Sequence, residues 1–106
     1  MKELPKSTKV VVIGGGVAGT SCAYHLAKFG WKDVVLVERD LLTSGTTWHA
    51  AGLLGQLGAS STITKIRKYS LDLYKDLEKT TGLSTGMKQN GAITVASTKE
   101  RMQELL

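Results

Sequence analysis

Cysteine is nearly missing from this chain. Its 106 residues include one, Cys22. No disulfide can close within the chain, which fits a reducing compartment. Proline is as scarce, with Pro5 alone, so no proline-rich linker separates the parts. Aromatic residues make up 6% and are not interleaved with basic ones as on a nucleic-acid-binding face. No apolar run approaches the ~20 residues of a membrane span, and no metal-ligand set is read. The lead-in Met1 to Lys9 lacks the apolar core of a secretory signal and the arginines of a mitochondrial presequence. A cytoplasmic protein is the default reading. A mitochondrial matrix protein that has lost its presequence is the alternative.

What is present is ordinary for a soluble globular protein: 42% hydrophobic and 22% charged residues, with a net charge of +5. Only Lys65, Arg67 and Lys68 are locally dense. They could meet an acidic electron acceptor, but a solvated face is the favoured reading. Met1 before a polar lead-in reads as an intact start. The far end differs. Ser97-Thr98-Lys99-Glu100 reads as a capping box, and Met102, Leu105 and Leu106 then share a helical face with no core to meet. The expectation is a piece of a several-fold longer protein.

Along the chain, Val10-Val11-Val12-Ile13 reads as a strand buried on both faces. Residues 17 to 29 take helical spacing, with Ala18, Cys22, Leu26 and Phe29 as the apolar stripe. On that stripe Cys22 is a small core hydrophobe. Gly30 stands where helices end in a left-handed turn, and Trp31 is expected to cover that end. Val34-Val35-Leu36-Val37 is the second strand, closed by Glu38. Strand, helix and strand form one βαβ unit with parallel strands. Residues 41 to 60, rich in small residues, carry no regular element. Residues 62 to 79 return to helix, with Ile63, Ile66, Tyr69, Leu73, Tyr74 and Leu77 on one face and Lys68, Asp72, Lys75 and Lys79 opposite. Gly82 is the stop. Gly91 to Ala96 reads as a third strand.

Gly14-Gly15-Gly16-Val17-Ala18-Gly19 fits G-x-G-x-x-G. Gly14 permits the tight turn out of the strand, Gly16 lets a diphosphate approach the backbone, and Gly19 lets the helix pack close to the sheet. The helix start supplies free amides and partial positive charge. Alone the motif is weak. Its context strengthens it: it leaves a strand, opens a helix, and is followed by a carboxylate, Glu38, at the end of the next strand, where an adenosine ribose would be held. Arg39 could suggest a 2′-phosphate, but Glu38 would repel one. The fingerprint reads an ADP moiety and does not separate FAD from NAD.

The next segment, Leu41 to Leu54, is the most distinctive. Gly45 and Gly52 let backbone pass near a ligand. Thr46 and Thr47 offer hydroxyls, Trp48 a flat apolar face and His49 an imidazole. From spacing alone, His49 is better read as a packed loop histidine than as a functional one.

Three runs of residues resemble the sarcosine and dimethylglycine dehydrogenases, within the D-amino-acid-oxidase-like group of FAD-dependent oxidoreductases. They are the fingerprint ending in Glu38-Arg39, the run Leu42-Thr43-Ser44-Gly45-Thr46-Thr47-Trp48-His49-Ala50-Ala51-Gly52-Leu53, and Leu77-Glu78-Lys79-Thr80-Thr81-Gly82 with Gln89-Asn90-Gly91. The resemblance implies an α/β, Rossmann-like βαβ FAD-binding fold, the N-terminal part of a larger two-domain flavoprotein. Residues 1–85 would belong to the FAD-binding domain, and residues 86–106 would begin the next segment as a strand and a truncated helix. The cofactor-binding set becomes Gly14 to Gly19, Glu38, Arg39, Gly45, Thr46, Thr47, Trp48, His49, Ala51, Gly52 and Leu53. The histidine at the position of His49 carries FAD covalently in that family, which reverses the reading from spacing. The implied reaction moves a hydride from the N-methyl carbon of a small amino acid to the flavin. The resulting iminium is hydrolysed to formaldehyde or trapped by tetrahydrofolate, and an electron-transfer flavoprotein accepts the electrons. A non-catalytic regulatory relative keeps the same fold and is the alternative.

Overall fold

The computed structural model describes residues 5–106. The lead-in read at residues 1–4 lies outside them. Contacts divide the chain into two units, Met1–Gly52 and Leu53–Leu106.

In the first unit, β1 (Val10–Ile13) and β2 (Val34–Val37) pair in parallel, with α1 (Val17–Lys28) between them in sequence. The register sets Val10 opposite Val34 and Ile13 opposite Val37. Gly14 extends the ladder by donating its N–H to the Val37 carbonyl at 2.8 Å. At the other end Asp33 ties the strands: its carboxylate accepts from the Thr8 hydroxyl at 2.8 Å and from the Lys9 amide at 3.1 Å. The helix stops as the glycine predicts. Gly30 takes φ +90, and Trp31 donates its N–H to the Leu26 carbonyl at 3.0 Å.

The face that α1 turns to the strands differs from the expected stripe. Ala18, Cys22 and Phe29 are exposed, whereas Gly19, Ala23 and Leu26 are half-buried. The reason is Gly19. A glycine allows the closest approach, so the helix docks along the row that contains it and turns the bulkier Cys22 outward. Cys22 is therefore a surface thiol, not a core residue. Among the described residues, Gly15 alone is buried and no hydrophobic side chain is.

In the second unit, α2 (Ser61–Thr81) runs slightly beyond the expected span at both ends. The Ser60 hydroxyl caps it by accepting from the Ile63 amide at 3.3 Å, and Gly82 ends it in the left-handed region. Leu73, Tyr74 and Leu77 are half-buried as expected, whereas Ile63, Ile66 and Tyr69 are exposed and Ser70 and Leu71 take up the covered side. The basic run does not form a patch. Lys68 pairs with Asp72 at 3.0 Å, and Arg67 donates to the Leu57 carbonyl.

Two further expectations are corrected. Gly91 to Ala96 form no strand. Their β-favouring side chains need a neighbouring strand to pair with, and none in this unit offers one. The last helix, α3 (Lys99–Leu105), is capped by Thr98 rather than Ser97, the Thr98 hydroxyl accepting from the Arg101 amide at 3.1 Å. Either hydroxyl suits the role, and the helix begins one residue later than the box implied.

Candidate functional site

The site is the junction of β1, α1 and the tip of β2. Gly14 leaves β1 at φ +101, a conformation that side-chain-bearing residues rarely adopt. The chain then turns tightly enough that a Cβ on Gly19 would lie 1.9 Å from the Gly14 carbonyl oxygen. The helix start is thereby packed onto its own loop. Gly16 is the N-cap and has no side chain to cap with. A distant residue does so instead: Thr47 accepts from the Val17 amide through its hydroxyl at 2.9 Å. Among the described residues the amides of Gly16, Ala18 and Gly19 meet no acceptor. Free amides at a helix start favour an anion.

Glu38 faces this loop. One carboxylate oxygen accepts from the Gly15 amide at 2.6 Å, and the other from the Arg39 and Asp40 amides at 2.7 and 3.1 Å. The Gly15 amide above all, then that of Asp40, holds the carboxyl below its ordinary value of 4.5, against a smaller opposing effect of desolvation. The oxygen facing Gly15 keeps one lone-pair site for a hydroxyl of a ribose, whereas the two amides of Arg39 and Asp40 occupy both sites on the other.

Two residues outside the expected set complete the junction. Thr43 donates its N–H to the Gly15 carbonyl at 3.0 Å. Leu42 lies so close to Gly15 that a Cβ there would come within 2.5 Å of its Cδ2. Thr43 is also the one non-glycine residue with positive φ among those described, at +69. A β-branched residue in that region costs roughly 1–2 kcal/mol. Its carbonyl also accepts from the Trp48 amide at 3.1 Å. Two hydrogen bonds at about 1 kcal/mol each offset that strain. No composition or periodicity signal points to Thr43, because its part is played by backbone.

The turns from 43 to 50 present His49. Its Nδ1 lies 3.0 Å from the Gly45 carbonyl. A carbonyl cannot donate, so Nδ1 carries a proton, and in the neutral ring Nε2 holds the lone pair. Trp48 is 78% exposed. The Thr46 carbonyl accepts from the His49 amide at 3.1 Å. Thus Gly45, Thr46, Thr47, Trp48 and His49 sit on one set of turns that Thr43 and Thr47 tie to the glycine loop. Arg39 joins through its backbone alone. Ala51 and Gly52 make no hydrogen bond to the loop among the described residues, and Leu53 falls in the other unit.

A family model described as FAD dependent oxidoreductase matches residues 9–106. The chain belongs to this family. As an FAD-dependent oxidoreductase domain it is similar to human mitochondrial sarcosine dehydrogenase, 47% identical over 104 residues, covering 97% of this chain and 11% of that protein. Rat mitochondrial dimethylglycine dehydrogenase is 49% identical over 102 residues, 96% of this chain and 12% of that protein. The mouse mitochondrial pyruvate dehydrogenase phosphatase regulatory subunit is 45% identical over 102 residues, again 96% and 12%. The FAD-dependent oxidoreductase chain thus spans about an eighth of the length of the curated relatives it matches. No helix among the described residues is long and apolar enough to cross a membrane.

Because FAD is the family's cofactor, the fit can be tested on the loop itself. A glycine loop with three free amides and a carboxylate beside it suits a diphosphate with an attached ribose. In the full-length protein, the stability that Glu38 lends to the loop is expected to be level above pH 4.5 and to fall only below it. Glu38 has a lowered folded value, so the stability it lends by accepting the Gly15 amide is fully present above the ordinary value and is lost as pH drops through the lowered one. Glu38→Gln should weaken binding roughly tenfold at neutral pH and remove Glu38's part of the acid dependence. Flavin fluorescence titrations check the first, and apo melting temperatures at stepped pH check the second.

Proposed function

We propose that this chain holds the ADP half of FAD in a flavoenzyme that oxidises the N-methyl group of a small amino acid such as sarcosine or dimethylglycine. The observation that carries the cofactor half is the Glu38 carboxylate closing on Gly15 beside the free amides of Gly16, Ala18 and Gly19. The substrate half rests on the relatives named sarcosine and dimethylglycine dehydrogenase.

In this reading the amides of Gly16 and Ala18 and the Thr47 hydroxyl serve the diphosphate, and Glu38 serves a ribose hydroxyl. The turns carrying Trp48 and His49 run on toward the flavin, and Nε2 of His49 is the atom free to bond it. The flavin, when bound, supplies the hydride acceptor, and these residues supply position and charge. Residues 1–85 form the start of the FAD-binding domain, and residues 86–106 lead toward a substrate domain. Tetrahydrofolate and an electron-transfer flavoprotein are the proposed partners of the whole protein. The mitochondrial names of the relatives favour the matrix over the cytoplasm.

The regulatory relative supports a second reading, a flavin fold without turnover. Anaerobic addition of sarcosine or dimethylglycine to the purified full-length protein separates the two. Loss of the oxidised flavin absorbance within turnover time supports the enzyme. An unbleached spectrum with both amines supports the regulatory subunit.

A further inference from the structure

Thr43 is strained, exposed and bonded on both sides, yet no chemistry read from the sequence uses it. We propose that Thr43 is a positioning residue: its left-handed backbone locks the turns that carry Trp48 and His49 onto the glycine loop. The inference rests on the FAD reading above for its consequence, though not for its geometry.

The left-handed turn at Thr43 (φ +69) lets two consecutive residues engage one partner. Leu42 lays its side chain against Gly15, and Thr43 sends its N–H to the Gly15 carbonyl at 3.0 Å. The Thr43 carbonyl then faces along the following turns and accepts from the Trp48 amide at 3.1 Å, an amide shared with the Gly45 carbonyl at 3.2 Å. Gly45 in turn holds Nδ1 of His49 at 3.0 Å. A continuous line of bonds therefore runs from the buried Gly15 through Thr43 and Trp48 to Gly45 and the His49 ring. The Thr43 hydroxyl takes part in none of these bonds, so what the position requires is a backbone that tolerates positive φ and keeps its N–H. Glycine and asparagine meet both needs. Proline meets neither.

The test uses full-length apo-protein carrying Thr43→Gly, Thr43→Asn or Thr43→Pro, with two readouts. The first is hydrogen exchange at the Trp48 amide without cofactor. The second is FAD affinity by flavin fluorescence. Wild type, Thr43→Gly and Thr43→Asn should protect the Trp48 amide at least tenfold better than Thr43→Pro and bind FAD at least tenfold more tightly. A tenfold loss of either property in Thr43→Gly or Thr43→Asn overturns the proposal, and this arm holds even if the proline variant fails to fold. Equal exchange in all four proteins overturns it as well. Ordered exchange with no FAD binding by any of them, wild type included, leaves the lock standing and sinks the cofactor reading instead.

Discussion

Gly19→Ala should strip FAD from the full-length protein. Two effects of the added methyl oppose each other. Alanine is a better helix former than glycine by about 1 kcal/mol, and the position is in the first turn of α1. Against this, the new Cβ would stand 1.9 Å from the Gly14 carbonyl oxygen, where contacts under 3.0 Å are essentially never found. The obstacle is backbone, so no rotamer change relieves it, and the loop or the helix start has to give by about 1 Å. Overpacking of this kind costs about 1–3 kcal/mol or more, which outweighs the propensity gain.

The larger consequence falls on the amides of Gly16, Ala18 and Gly19, which move with that shift. Hydrogen bonds to charged partners contribute about 1.5–3 kcal/mol each, so losing two weakens FAD binding ~100-fold or more. Gly16→Ala is the informative contrast. Its Cβ meets only the Thr47 hydroxyl, at 2.9 Å, which a side-chain rotation can clear. That rotation gives up the Thr47 cap on the Val17 amide, which costs about 1 kcal/mol, so the apo-protein should melt somewhat below wild type but above Gly19→Ala, while the glycine loop still loses its room. Flavin content after purification and apo melting temperature check both variants. Full FAD occupancy in Gly19→Ala would be incompatible with the proposed cradle.

If the proposed covalent bond at His49 exists, His49→Ala is expected to yield a protein that releases its FAD on denaturation. Gly45 holds Nδ1 in hydrogen-bonded form and leaves Nε2 without a partner among the described residues. Of the two ring nitrogens, only Nε2 is then free to form a bond, and the ring is oriented by a carbonyl rather than left to rotate. The full-length protein, run on an acidic denaturing gel, should show a band that fluoresces under ultraviolet light. The band should go dark in His49→Ala, with flavin recovered in the supernatant and FAD affinity kept by the glycine loop and Glu38. A dark wild-type band with released flavin would remove His49 from the site and leave non-covalent binding untouched.

The local order of the first unit could be read from residue types alone. Four β-branched residues, a glycine turn, a helical spacing, a glycine stop and a second apolar run name β1, α1 and β2 nearly to the residue. Each is a short-range decision about backbone conformation and hydrogen-bonding neighbours. Gly14 and Gly19 were legible for the same reason, since one takes positive φ and the other packs on a neighbour five residues back, and Glu38 stands where the second apolar run ends, whereas Gly16 meets only the distant Thr47 hydroxyl.

What only the tertiary structure decided concerns groups far apart in the chain. The Glu38 carboxylate meets the Gly15 amide across 23 residues, and Thr47 caps Val17 across 30. Thr43 returns to Gly15 through its backbone, which no side-chain pattern announces. The docked face of α1 was misread because an apolar stripe ranks large residues first, whereas the helix approached along its smallest one. Gly91 to Ala96 failed as a strand because a strand requires a partner, and residue preference says nothing about whether one is within reach. Propensity acts on one residue and its neighbours. Closure of the site, the helix face used and strand pairing depend on which distant backbone groups meet.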